Sequence, residues 1–231
     1  MEDLPFQQFF LKVSIMLVPA LMAITCHEVS HGFIADKFGD DTARSMGRLT
    51  LNPLKHIDIF GTLMVFIVGV GWAKPVPVNF RNLRRPKTDM IWVAAAGPIT
   101  NFLLATFSAV AMRTIAHFAV DIAETSMLAA VLKPITWMLA FSVYINLLLA
   151  IFNLIPVPPL DGGRVAVGLL PYRLATTLAR VEPFGFIIII LLVFFTRIFD
   201  YVILPVLNTL VYLLAGPQTD LVAGVTSLMM R

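Results

Sequence analysis

The chain has 231 residues, 58% of them hydrophobic and only 13% charged, with a mean hydropathy of +0.86. Soluble globular domains carry roughly 25% charged residues, so this composition describes a polytopic membrane protein. A net charge of +3, with no basic run interleaved with aromatics in a soluble segment, argues against nucleic acid as a partner. The single cysteine, Cys26, excludes an intrachain disulfide and a zinc-finger framework.

The chain opens Met1-Glu2-Asp3, without the basic n-region or small-residue cleavage site of a signal peptide, so its first helix is expected to be retained. Leu11 to about Phe33 reads as the first spanning helix, with Pro19 as the place where it would bend. A polar stretch from Asp36 to Asp41 ends it, and Asn52-Pro53 marks a turn. Ile57 to Val70 is apolar but broken by Gly61 and Gly69. It is too short to cross roughly 30 Å as a helix, which suggests a half-spanning or re-entrant element. In Trp72–Phe80, Pro75 and Pro77 exclude a helix and favour an extended strand with one edge stripped of N–H groups. Such a strand can pair internally or accept a peptide by strand addition; a proline-stiffened loop fits the composition equally well.

Met90 to about Ala116 is a second full span, and it carries Gly97-Pro98-Ile99-Thr100-Asn101. Gly97 permits close backbone approach and Asn101 needs a polar partner in lipid, so by themselves these residues read as a packing kink with an interhelical hydrogen bond. A third span from about Ile135 to Ile155 closes on Asn153-Leu154-Ile155-Pro156-Val157-Pro158-Pro159-Leu160-Asp161-Gly162-Gly163. Two further apolar blocks, Phe184–Phe195 and Tyr201–Ala215, are separated by Arg197 and Asp200, and whether they form one helix or two is left open. The expected fold is an all-α polytopic membrane protein with about four to six transmembrane helices and a short membrane-associated β-strand or re-entrant segment. It forms a single domain over 1–231, with a core over about 11–165 and C-terminal apolar segments over about 184–215.

The chemistry concentrates at His27-Glu28-Val29-Ser30-His31, an HExxH stretch inside the first span. On a helix His27 and His31 project from one face a turn apart, which suits two imidazoles converging on one metal ion. Glu28 stands where such sites keep the base that takes a proton from a metal-bound water. An ionisable residue in the bilayer costs roughly 2.5–3.5 kcal/mol, so three together need a use. Loops 36–59, 81–89 and 162–180 are rich in Lys and Arg, while 117–130 is acidic, which places the first three in the cytoplasm. The first and third full spans then both run inwards, and His27, His31 and Asp161 arrive at a similar depth towards the cytoplasm. Asp161 therefore completes a three-ligand site with one open position better than Glu182, Asp58 or His56. Taken alone, Asp161 reads equally well as a helix-end turn residue.

HEVSH in one membrane helix and NLIPVPPLDG in a later one resemble the site-2 protease family of intramembrane zinc metalloproteases. GPITN and GWAKPVPVN resemble its short bacterial branch, and the likeness runs from about Leu17 to Arg164. The resemblance implies one zinc ion per chain held by His27, His31 and Asp161. Glu28 is implied as general base, with Asn153 positioning substrate or stabilising the oxyanion. It further implies substrate contacts from Pro75, Val76, Pro77, Val78, Asn79 and Asn101. Single-span membrane proteins are the implied substrates, cut within the bacterial cytoplasmic (inner) membrane, with the site towards the cytoplasm. No PDZ module or nucleotide-sensing domain is expected, and the oligomeric state is open. A metal-ion transporter would also place His and Asp in membrane helices, and an inactive scaffold is the third reading.

Overall fold

The computed structural model describes residues 5–61, 73–119, 122–123 and 126–230 of the chain. Helix α1 spans Pro5–Lys37 and continues through Pro19. A short α2, Thr42–Ser45, follows it. Helix α3 is Pro86–Phe118, α4 is Met127–Asn153 and α5 is Asp161–Leu169. Further helices are α6 (Tyr172–Ala179), α7 (Gly185–Phe195), α8 (Leu204–Ala215) and α9 (Thr219–Met230). Among the described residues, five stretches are long and apolar enough to cross a membrane: Phe10–Lys37, Pro86–Phe118, Met127–Asn153, Tyr172–Phe195 and Phe199–Leu228. The protein is an all-α, multi-pass membrane protein.

Local sequence sets the helix ends. Pro86 opens α3, where its missing N–H costs nothing, and the Asp89 carboxylate accepts the Arg85 N–H at 2.8 Å. Ser126 caps α4 by accepting the Ala129 N–H at 3.1 Å. This helix starts well before the expected Ile135, because Pro134 removes one ladder bond without ending the helix. Helices α1, α3 and α4 pack around Ile15, Met112 and Leu147, and Ala105, Ala109 and Ala140 let their backbones approach. Helices α8 and α9 close the same core with Leu207, Val211, Val222 and Val225.

Two expectations need amendment. Among the described residues there is no β-strand, and 73–79 has no regular secondary structure. A side chain and a single backbone bond replace the ladder there: Arg48 Nη2 donates to the carbonyls of Lys74 (3.0 Å) and Pro75 (3.2 Å), while the Lys74 backbone N–H donates to His56 O. The C-terminal apolar region does not stop near residue 215. Gly216 and Pro217 turn the chain into α9, which returns to the core. The re-entrant element expected over 57–70 lies, beyond Gly61, outside the described residues.

Candidate metal centre

The HExxH stretch lies in α1, with His27 ten residues before its end. At about 1.5 Å per residue this sets the ring roughly 15 Å from the helix terminus, inside the span. His27 and His31 stand a turn apart with ring centroids 4.7 Å apart and planes at 83°. One stripe of α3 faces them at four-residue spacing: Val93, Gly97 and Asn101. His31 Nδ1 lies 2.7 Å from the Val93 carbonyl oxygen, which can only accept, so Nδ1 carries the proton. His27 Nδ1 lies 2.5 Å from Asn101 Oδ1. Both rings therefore turn their Nε2 lone pairs the same way. Gly97 provides the room: a Cβ there would sit 2.5 Å from His31 Nε2 and 2.6 Å from His27 Nε2.

Asp161 enters from the other side. The 154–160 turn folds onto the first turn of α5, which only glycines allow. A Cβ on Gly162 would lie 2.2 Å from Leu154 O, and one on Gly163 would lie 2.2 Å from Pro158 N. This puts Asp161 at the start of α5, where the helix dipole favours a carboxylate. Its Oδ2 lies 3.1 Å from His27 Nε2 and 3.3 Å from His31 Nε2.

This donor set fits zinc. Asp161 Oδ2 is buried and makes no hydrogen bond, an arrangement that costs free energy unless a cation sits against it. Zinc ligands at about 2.0–2.1 Å in a tetrahedron lie about 3.3 Å from one another, the spacing from this oxygen to both nitrogens. Among the described residues His27, His31 and Asp161 are the one group of three such side chains whose donor atoms converge, all within 4.8 Å of one another. The other candidate third ligands are engaged elsewhere. Glu182 pairs with Arg164 at 3.2 Å, Asp58 accepts the Gly61 N–H, and His56 Nε2 lies 2.8 Å from Thr50 O.

Glu28 is half-buried, and its Oε2 accepts the Val76 N–H at 2.8 Å. The irregular 73–79 segment thus reaches the centre through one backbone group. Val76 is buried over Gly32, where a Cβ would meet its Cγ1 at 2.7 Å. Asn79 donates its N–H to Asp40 at 2.7 Å, while Pro75, Pro77 and Val78 flank Val76 without a described bond to the centre. Asn101, expected among substrate contacts, is fully buried behind His27, with its amide committed to protein groups. Asn153 ends α4 half-buried, its amide donating to Leu149 O at 3.0 Å. Sequence reasoning missed Asp40 and Arg48, which pin 73–79 in place. Their only signal was membership of a charged loop, which served to set orientation.

Comparison with known proteins supplies the family. The model of Peptidase family M50 matches residues 15–196. YwhC of Bacillus subtilis, named as a zinc metalloprotease, is 38% identical over 193 residues, covering 84% of this chain and 85% of its own length. Rip2 of Mycolicibacterium smegmatis, which bears the same designation, is 27% identical over 181 residues, 74% of this chain and 63% of its own. MJ0611 of Methanocaldococcus jannaschii, likewise named, is 29% identical over 143 residues, 60% and 62% of the two chains. No solved structure matches. With its helical membrane fold and the buried His27–His31–Asp161 cluster, the chain belongs to peptidase family M50, the site-2 protease family of zinc metalloproteases.

Proposed function

We propose that the protein is an intramembrane zinc endopeptidase that hydrolyses peptide bonds in the membrane-spanning segments of single-span proteins. The observation that carries this reading is Asp161 Oδ2, buried, without a hydrogen bond, and at tetrahedral spacing from two imidazole nitrogens beside Glu28. His27, His31 and Asp161 would hold one zinc ion per chain. When bound, zinc supplies a Lewis acid and lowers the pKa of water towards about 7.

The rest falls to the chain's own groups. The Val76 N–H occupies Glu28 Oε2, which leaves Oε1 to take the proton of the attacking water and return it to the leaving amine. The hydrogen bond holds the base in one orientation, as a third group commonly does for a base. A substrate helix conceals its carbonyls in i to i+4 bonds and must unwind locally to be cut. The 73–79 segment, tied to Glu28 through the Val76 N–H, is the surface we assign to holding the unwound stretch by strand addition. Asn153, closing α4 shortly before Asp161, is the side chain we assign to the oxyanion. Asn101 acts from behind His27, and so as a positioning residue.

By the distribution of Lys and Arg, the centre lies towards the cytoplasmic side of a bacterial inner membrane, where water reaches it from the cytoplasm. The test uses purified protein with a single-span model substrate, beside Glu28→Gln and Asp161→Ala. Wild type is expected to contain zinc and cut, and a chelator to stop it until zinc is restored. Glu28→Gln should hold zinc without cutting, and Asp161→Ala should lose the metal. Transport of zinc into liposomes by wild type, without cleavage of any substrate, overturns the reading.

A further inference from the structure

Behind His27 a line of polar side chains runs between α3 and α4, away from the reacting groups. Asn101 and Ser108 share one face of α3, two turns apart, and Ser142 and Asn146 share a face of α4, one turn apart. Asn101 is 0% exposed, Asn146 1% and Ser108 5%, all in the interior of an apolar bundle. Asn101 Nδ2 donates to Asn146 Oδ1 at 2.8 Å and to the Ala23 carbonyl at 3.2 Å. Asn146 Nδ2 in turn donates to Ser142 O at 2.9 Å and Ser142 Oγ at 3.1 Å. The Ser142 and Ser108 hydroxyls meet at 2.8 Å. Packing alone does not require these groups, because Ala105, Ala109 and Ala140 bring the same helices together nearby without any polar burial.

The direction of every amide bond in the line is determined. Backbone carbonyls only accept, so Ala23 O requires the NH₂ end of the Asn101 amide, and Ser142 O requires the NH₂ end of Asn146. Asn146 then has to turn Oδ1 to Asn101, and Asn101 has to turn Oδ1 to His27. A carbonyl oxygen facing Nδ1 makes His27 the Nδ1–H tautomer, with its lone pair on Nε2 beside Asp161. The two NH₂ hydrogens of Asn101 are both used, one by Ala23 and one by Asn146. Without Asn146 one of them is buried and unpaired, and the amide loses its fixed orientation.

We infer that Asn146, held by Ser142, is a positioning residue of the metal centre, fixing through Asn101 the tautomer and aim of His27. The inference rests on the zinc reading above. Partners of this kind behind a ligating histidine typically govern metal affinity by about 10–100-fold. The experiment is a competition titration of zinc into the full-length apo-protein in detergent. It is paired with the absorption spectrum of the cobalt-substituted protein and the unfolding temperature of each apo-protein. Asn101→Leu is expected to weaken zinc binding by about 10–100-fold, and Asn146→Leu by about tenfold with an altered cobalt spectrum. Asn146→Asp, protonated in this apolar site, keeps an oxygen for Asn101 and an O–H for Ser142 O, and should bind zinc within about threefold of wild type. Ser142→Ala, the mildest change, should weaken it by about two- to threefold.

Asn146→Leu with wild-type zinc affinity and an unchanged cobalt spectrum overturns the inference. So does a loss that follows the fall in unfolding temperature and is not restored by Asn146→Asp, since that pattern belongs to a packing role. A wild-type protein that binds no zinc at all instead takes down the functional reading on which the inference rests.

Discussion

The bundle of α1, α3 and α4 and the C-terminal stretch from α6 to α9 are both apolar enough to cross a membrane, yet they are built differently. In α3 and α4, 39% of the most apolar window is buried inside the protein, against 6% in Tyr172–Phe195. Buried polar side chains follow the same division. Thr25, His27, Asn101, Ser108 and Asn146 all lie in the first bundle, whereas among the described residues the C-terminal stretch buries only Thr226, whose hydroxyl is satisfied one turn back on its own helix. Apolar composition marks a membrane segment; the cost of burying polar groups in it marks the part that does chemistry.

The change expected to break this contrast most severely is the smallest in size. Gly97→Ala adds one methyl, yet that carbon would lie within 2.6 Å of Nε2 of both His27 and His31. Neither ring can retreat, because Val93 O and Asn101 hold their far sides at 2.7 and 2.5 Å. A ligand displaced by about 1 Å costs on the order of 10² in rate, so activity should fall at least that far and bound zinc with it. Metal analysis beside a cleavage assay checks this. Normal zinc content would mean that the helices move apart more easily than packed interiors do.

Next in size is Val76→Pro, which removes the N–H that Glu28 accepts while leaving the metal ligands untouched. A hydrogen bond to a charged group contributes about 1.5–3 kcal/mol, so turnover should drop by about 10–100-fold with zinc content unchanged. Val76→Thr keeps the N–H and the branched shape over Gly32 and should retain most activity. Equal losses in the two variants would mean that the side chain matters, and the backbone group does not.

These two positions also show how far the sequence could be read. His27, Glu28 and His31 were legible because one helical turn is a local distance, and because three ionisable groups in lipid demand a reason. Asp161 followed from topology, since two spans running the same way deliver it to the same depth. Gly97 and Asn101 were visible as a motif, but their partner is His27, 74 residues away from Asn101, and only packing reveals it. The prolines at 75 and 77 suggested a strand for a sound reason, the bias to extended backbone. What completes that segment is the side chains of Arg48, Glu28 and Asp40, which no periodicity encodes. Helix α9 was missed because Gly216-Pro217 looks like an end, when it is a turn between two packed helices.

A smaller effect is expected at Asp40, which ties the 79–82 turn to the end of α1. It is fully buried and accepts the Asn79 N–H at 2.7 Å, the Asn82 amide at 3.0 Å, the Thr42 N–H at 3.3 Å and the Thr42 hydroxyl. Burial alone would raise its carboxyl, but these donors outweigh it and hold the group below the usual carboxylate range. A carboxyl lowered on folding stabilises at pH above its unfolded value near 3.9, and that stability is lost as pH falls through the folded value. Asp40→Asn should therefore speed hydrogen exchange at the Asn79 amide by about tenfold or more at neutral pH. Wild type, corrected for intrinsic rates, should converge on the variant only below about pH 4. Convergence at higher pH would mean that another group holds the turn.

The weakest effect belongs to the other side of the comparison. Phe195 on α7 is 79% exposed, whereas Leu147 on α4 is fully buried against the bundle. Leu147→Ala leaves a cavity in a core that cannot collapse around it and should cost about 2–5 kcal/mol of stability. Phe195→Ala removes more atoms, but they face lipid in the folded protein and would face it still in a loosened one, so almost nothing is lost on truncation. Cleavage by that variant should stay within about twofold of wild type and its unfolding temperature within a few degrees. A large loss of activity with unchanged stability would show that the outer face of α7 meets a substrate helix or a second copy of the chain. The contrast between a working bundle and a lipid-facing periphery would then have to be redrawn at α7.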